Sequence, residues 1–118
     1  MAGARPVEIR LKRAEKILEI QFDDGETYRL PAELLRVESP SAEVQGHSPE
    51  QRQLVAGAAG VGISRLEQVG NYAIRIVFDD GHDTGLFTWP YLYELGRDRE
   101  ARWGKYVAAM DQAGLSRE

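Results

Sequence analysis

The chain has no cysteine, and its 118 residues include only two histidines, two tryptophans and two methionines. Without thiols there can be no disulfides, thiolate zinc sites, cysteine nucleophiles or cysteine-held iron–sulfur clusters. Two histidines, His47 and His82, give little material for general-base chemistry. No apolar run approaches the ~20 residues that a membrane span requires. The opening MAGARPVEIRLKR has no hydrophobic signal core, so a cytoplasmic protein is expected. Fifteen Lys and Arg stand against nineteen Asp and Glu, a net charge of −4 with no basic block. That balance argues against general affinity for nucleic acid or an anionic membrane.

What is present is globular in character. An apolar content of 42% beside 29% charged residues fits a folded domain. A chain of this length buries roughly two-thirds of its unfolded surface without staples. PVEIRLK alternates Val7, Ile9 and Leu11 with charged residues, and ILEIQF repeats the pattern with Leu18, Ile20 and Phe22. NYAIRIVF does so again with Tyr72, Ile74, Ile76 and Phe78. Period two is the mark of strands with one buried face. The tetrapeptide FDDG follows two of these runs, at Phe22–Gly25 and Phe78–Gly81. Asp-Gly between strand patterns signals a hairpin, because glycine takes positive φ freely. Similarity does not extend past the tetrapeptide, so it reads as one turn chemistry used twice. Pro31 and the Thr88–Pro90 pair each open a helix, with Thr88 as cap and Gly96 near the second helix's end. Trp103, Tyr106, Val107 and Met110 recur at helical spacing, although Gly104 weakens that segment by about 1 kcal/mol relative to alanine. The fold expected is α+β: a largely antiparallel sheet built from hairpins, with short helices and a C-terminal helical segment.

Few residues invite a chemical role. Asp79, Asp80, His82 and Asp83 gather carboxylates and an imidazole around the second turn, where Asp80, Asp83, His82 and a distant His47 are candidates for a metal. Aspartates also suit turns by bonding their own backbone, and His82 is expected to anchor the Asp80–Thr84 turn in the same way. Glu38–Val61 has no sustained period and is longer than connection economy requires, as functional loops often are, with one helical turn suggested near PEQRQLV. Gly57, Gly60 and Gly62 do not make a phosphate loop, because no Lys-Ser or Lys-Thr follows and a strand comes next. Trp89 and Tyr91 stand at a strand-to-helix corner. With His82, Asp83 and His47 they form the expected contact surface for a protein partner.

VGNYAIRIVFDDGHDTGLFTWPYLYELG (69–96), with its D-G-H-x-x-G-x-x-x-W run, and YRLPAELLRVESPSAEVQGH (28–47) resemble the gamma-butyrobetaine hydroxylase-like N-terminal domain family. The resemblance implies a single domain over 1–118, with a core of about 6–95 and a helical extension over 97–114. Such domains occur alone in small bacterial proteins, ahead of 2-oxoglutarate-dependent oxygenases, and attached to ATPases that handle iron–sulfur clusters. In the oxygenase branch the resemblance implies a zinc held by three cysteines and the histidine of the D-G-H run. That histidine matches His82, whereas Ser39, Ser41 and Val44 stand where the cysteines would be. No cofactor is therefore expected, and with no oxygenase domain present, no hydroxylase activity either. Three readings stand: a non-enzymatic binding or adaptor module serving iron–sulfur or metal-cofactor maintenance; a metal-binding protein or minor enzyme centred on His82; and a structural domain of a larger assembly.

Overall fold

Alternation builds two three-stranded antiparallel sheets. The computed structural model describes residues 4–40 and 57–116. In the first sheet β1 (Pro6–Lys12), β2 (Ile17–Phe22) and β3 (Thr27–Pro31) lie in sequence order, and α1 (Ala32–Val37) follows. The second has β4 (Ile63–Val69), β5 (Ala73–Phe78) and β6 (Leu86–Thr88) in the same order, followed by α2 (Trp89–Arg97) and α3 (Arg99–Ala113). Leu18, Ile20, Phe22 and Leu30 from one sheet join Ile74, Ile76, Phe78 and Phe87 from the other in one core, closed by Leu34, Leu35, Leu92, Leu95, Tyr106 and Met110 from the helices. Each such side chain contributes about 1.5–3 kcal/mol by leaving water.

The two FDDG turns have the same geometry. Gly25 N–H donates to Phe22 C=O at 3.1 Å, and Gly81 N–H to Phe78 C=O at 3.2 Å. Phe22 N–H reaches Glu26 C=O at 2.8 Å, and Phe78 N–H reaches His82 C=O at 2.9 Å. The glycines take φ of +90° and +93°, the left-handed position of a three-residue hairpin loop. The repetition extends well beyond the tetrapeptide, which the sequences alone did not suggest. Each first strand bulges at the same place, between Pro6 and Glu8 and between Ile63 and Arg65. Ile17 pairs with Pro31 as Ala73 pairs with Thr88, and Leu18 with Leu30 as Ile74 with Phe87. Ala32 N–H bonds Lys16 C=O at 2.8 Å, as Trp89 N–H bonds Tyr72 C=O at 3.2 Å. A βββα unit thus occurs twice, over residues 6–37 and 63–97.

Two local expectations change in three dimensions. The first bulge turns Val7 outward, to 60% exposure, and Tyr72 is carried out into the β4–β5 turn. Gly96 is the penultimate residue of α2, near its end as expected, where the helix passes so close to Tyr28 that a Cβ would overlap the ring. Pro31 ends β3 and occupies the position before α1 with an extended backbone, while Thr88 caps α2 by accepting from Tyr91 N–H at 3.4 Å. The turn suggested near PEQRQLV lies outside the described residues.

Candidate functional site

The hairpin loops are gripped by helices of the opposite unit. Arg36 of α1 donates through Nε to Asp80 Oδ2 of the second turn at 2.8 Å. Tyr93 of α2 donates through its hydroxyl to Asp24 Oδ2 of the first turn at 2.6 Å. Arg36 and Tyr93 occupy equivalent helix positions, and Asp80 and Asp24 equivalent turn positions, so the two latches are reciprocal. Each aspartate also accepts from the backbone two residues on, at 3.0 Å in both turns. Burial pushes the Asp80 carboxyl up, but the His82 N–H and the Arg36 guanidinium outweigh it and leave the pKa lowered. The Tyr93 hydroxyl lowers Asp24, and that carboxylate in turn raises the Tyr93 phenol.

Beneath the latches the two units diverge. In the first, Phe22, Tyr28 and Tyr93 pack edge-to-face, with centroids 5.0–6.0 Å apart, and Gly96 makes room for the Tyr28 ring. In the second, the counterpart of Tyr28 is Gly85 and that of Gly96 is Ser39. A Cβ at residue 85 would overlap the Ser39 hydroxyl. His82 lies beside this gap, its ring 5.9 Å from Phe78, much as Tyr28 stands 6.0 Å from Phe22. His82 Nε2 and Ser39 Oγ are 2.9 Å apart and hydrogen-bonded, with His82 6% and Ser39 0% exposed. Tyr91 turns inward too, donating its hydroxyl to Glu38 C=O. The Asp80 carboxylate ties the second turn to itself by accepting from the His82 N–H, while the His82 ring reaches Ser39, just past α1.

Residues 9–93 match the family described as Gamma-butyrobetaine hydroxylase-like, N-terminal. The chain belongs to this family. Two solution NMR structures share 47% and 46% identity with it, at TM-scores of 0.86 and 0.84. They cover 99% and 98% of this chain, and 92% and 86% of their own lengths. A crystal structure of a protein of unknown function in the DUF971 family, from Acidithiobacillus ferrooxidans, is 40% identical with a TM-score of 0.66, over 78% of this chain and 92% of that one. No curated protein matches.

The zinc implied for the oxygenase branch of the gamma-butyrobetaine hydroxylase-like domains does not fit these residues. Ligands about 2.1 Å from a tetrahedral ion stand roughly 3.4 Å from each other, whereas Ser39 and His82 are in direct contact. Ser41, Val44 and His47 lie outside the described residues, and a serine hydroxyl is a poor substitute for a thiolate. Arg36 already neutralises Asp80, and the Arg75 guanidinium, held charged chiefly by Glu67, is further stabilised by Asp83. Among the described residues, no three of His, Asp and Glu gather closely enough to hold a metal ion.

The expected contact residues divide between the two ends of β5. His82 and Asp83 follow β5, whereas Trp89 lies beside Tyr72 at its start. Trp89 is half-buried, its indole Nε1–H donating to Asn71 C=O at 2.7 Å. The residues read in isolation gave no sign of Arg36 or of the Asp24–Tyr93 pairing. The fifty-seven-residue offset from Arg36 to Tyr93 was the available signal, but without a shared residue type it was silent.

Proposed function

We propose that the chain is a non-enzymatic adaptor that binds another protein, in the service of iron–sulfur or metal-cofactor maintenance. One observation carries the first half of this reading: the only imidazole among the described residues is buried and hydrogen-bonded to Ser39. General acid–base work needs a group within reach of a substrate, and His82 is sealed from one. The half-buried Trp89 and 51%-exposed Tyr72 supply the rigid amphipathic area that dominates interface hot spots. The resemblance to domains attached to iron–sulfur-handling ATPases supports the second half. Affinity capture from the native host, with cross-links mapped by mass spectrometry, tests the reading. Cross-links converging on Tyr72 and Trp89, together with reduced iron–sulfur enzyme activity when the protein is depleted, are expected. A chain that captures nothing at native concentration, or whose depletion leaves those activities intact, rejects it.

A further inference from the structure

β1 and β4 are outer strands of their sheets, and contacts at two places set them facing across a channel: Arg13, just past β1, reaches Ser64 of β4, while Val7 of β1 and Gln68 of β4 line one groove. The two ends of that channel are equivalent positions of the repeated unit. At one end Arg13 Nε donates to the carbonyl of Ser64, the bulge residue of β4, at 3.0 Å, and Lys16 Nζ to Gly60 C=O at 2.9 Å. Basic side chains plug this end.

At the other end the counterpart of Arg13 is Gly70, that of Lys16 is Tyr72, and that of Ser64 is Val7, the bulge residue of β1. Val7 is 60% exposed, and no side chain among the described residues donates to its carbonyl. A groove of about 400 Å³ remains there, with Val7, Glu8, Ile9, Gln68, Ile74 and Trp89 among its walls. The Glu8 carboxylate is 48% exposed and shared only with a 60%-exposed Arg10, an ion pair of little strength. Arg5 also lines the groove, but it is exposed, so salt screens its charge.

We propose that this groove docks an arginine side chain of a partner protein. Its guanidinium donates to the Val7 carbonyl as Arg13 donates to Ser64, and it lies against the Trp89 indole near Glu8. The equivalent end of the same channel already shows which chemistry suits this backbone. A guanidinium is planar, weakly hydrated and stacks on aromatic rings, advantages an ammonium lacks. The chain's net charge of −4 favours encounter with a basic surface. The proposal rests on the adaptor reading for the existence of a protein partner.

The peptides Ac-Gly-Arg-Gly-NH2, Ac-Gly-Lys-Gly-NH2 and Ac-Gly-Gln-Gly-NH2, titrated into the full chain and followed by 1H–15N NMR, test it. The arginine peptide is expected to move the Trp89 indole N–H and the Val7 and Glu8 amides saturably, leaving the Trp103 indole still. The lysine peptide should bind several-fold more weakly and the glutamine peptide not at all. Glu8→Gln should weaken arginine binding at least threefold. Arg13→Ala should open the equivalent end, so that the arginine peptide also shifts Gly60 and Ser64. An equal response to glutamine, an unmoved Trp89, or shifts scattered over the acidic turns overturns the proposal. A host partner cross-linked only away from Trp89 removes this proposal and leaves the adaptor reading; specific arginine binding with no host partner does the reverse.

Discussion

The first and second βββα units carry the same backbone and use it differently. Strand pairing, bulge, turn and helix start coincide, yet the interior beneath the first turn is three aromatic rings. Beneath the second it is Arg36, His82 and Ser39 around a glycine. Tyr28 against Gly96 and Gly85 against Ser39 are one contact with its large and small members exchanged. Close helix–strand approach requires a glycine on one side of that contact and leaves open which side. Where the strand supplies the ring, the space is filled by carbon. Where the strand supplies the glycine, a polar pair enters, and that is the place at which related domains are implied to hold a metal.

The largest test of the equivalence is in the core. Phe22 and Phe78 are each 1% exposed at matching positions, so Phe22→Ala and Phe78→Ala should each cost about 3–5 kcal/mol. Chemical denaturation should give similar losses for the two; a difference above about 1.5 kcal/mol would break the comparison. Next comes the exchanged contact. Gly96→Ala drives a Cβ into the Tyr28 ring and should cost about 1–3 kcal/mol. Gly96→Ala combined with Tyr28→Leu should recover part of that loss, and strict additivity of the two would refute the contact.

Ser39→Ala removes the partner of a buried imidazole and should cost about 1–3 kcal/mol. Ser39→Thr, which keeps the hydroxyl, should be the milder of the two if the hydrogen bond matters, although its extra methyl is crowded. Strong chelator should leave the wild-type melting temperature unchanged. A fall of more than a few degrees, with zinc released in stoichiometric amount, would show that an ion and not a hydrogen bond joins these residues.

The smallest effects distinguish the latches by pH. Asp24 and Asp80 have lowered folded pKa values. Their contribution is therefore present above the unfolded value of about 4 and is lost as pH falls through the folded ones. Tyr93 is raised, so its contribution is complete below about 10 and lost as pH rises through the folded value. The second latch holds no phenol. Acid should loosen both turns and alkali only the first. Tyr93→Phe should flatten the alkaline limb of the stability curve whereas Arg36→Gln should leave it unchanged, as thermal melts between about pH 9 and 11 would reveal.

Much of the fold was legible in the residues, because strand alternation and Asp-Gly turns are local signals. Ile9, Leu11, Leu18, Ile20, Phe22, Ile74, Ile76 and Phe78 face inward as period two requires, and Thr88 caps its helix as its hydroxyl allows. Val7 escaped that rule because a bulge shifts phase by one residue, which the alternation of side chains does not record. The candidate site was half legible: Asp80 and His82 drew notice by their types, whereas Arg36 and Ser39 came from another element. The groove beside Trp89 was invisible, since its walls come from β1, the β4–β5 turn and the start of α2.

By itself the sequence determined the absence of thiol chemistry, the antiparallel hairpins, both turn geometries and the family to which the chain belongs. Each follows from residue identity or from neighbours a few positions apart. Only the tertiary structure decided that the two hairpins belong to equivalent units and that each helix latches the other unit's turn. It also decided that His82 spends its ring nitrogen on Ser39, and that one end of the β1/β4 channel is plugged while the other is open. Those outcomes depend on contacts between residues some forty to seventy positions apart, as with Ser39 and His82 or Asp24 and Tyr93, and local pattern carries no information about which distant side chain arrives.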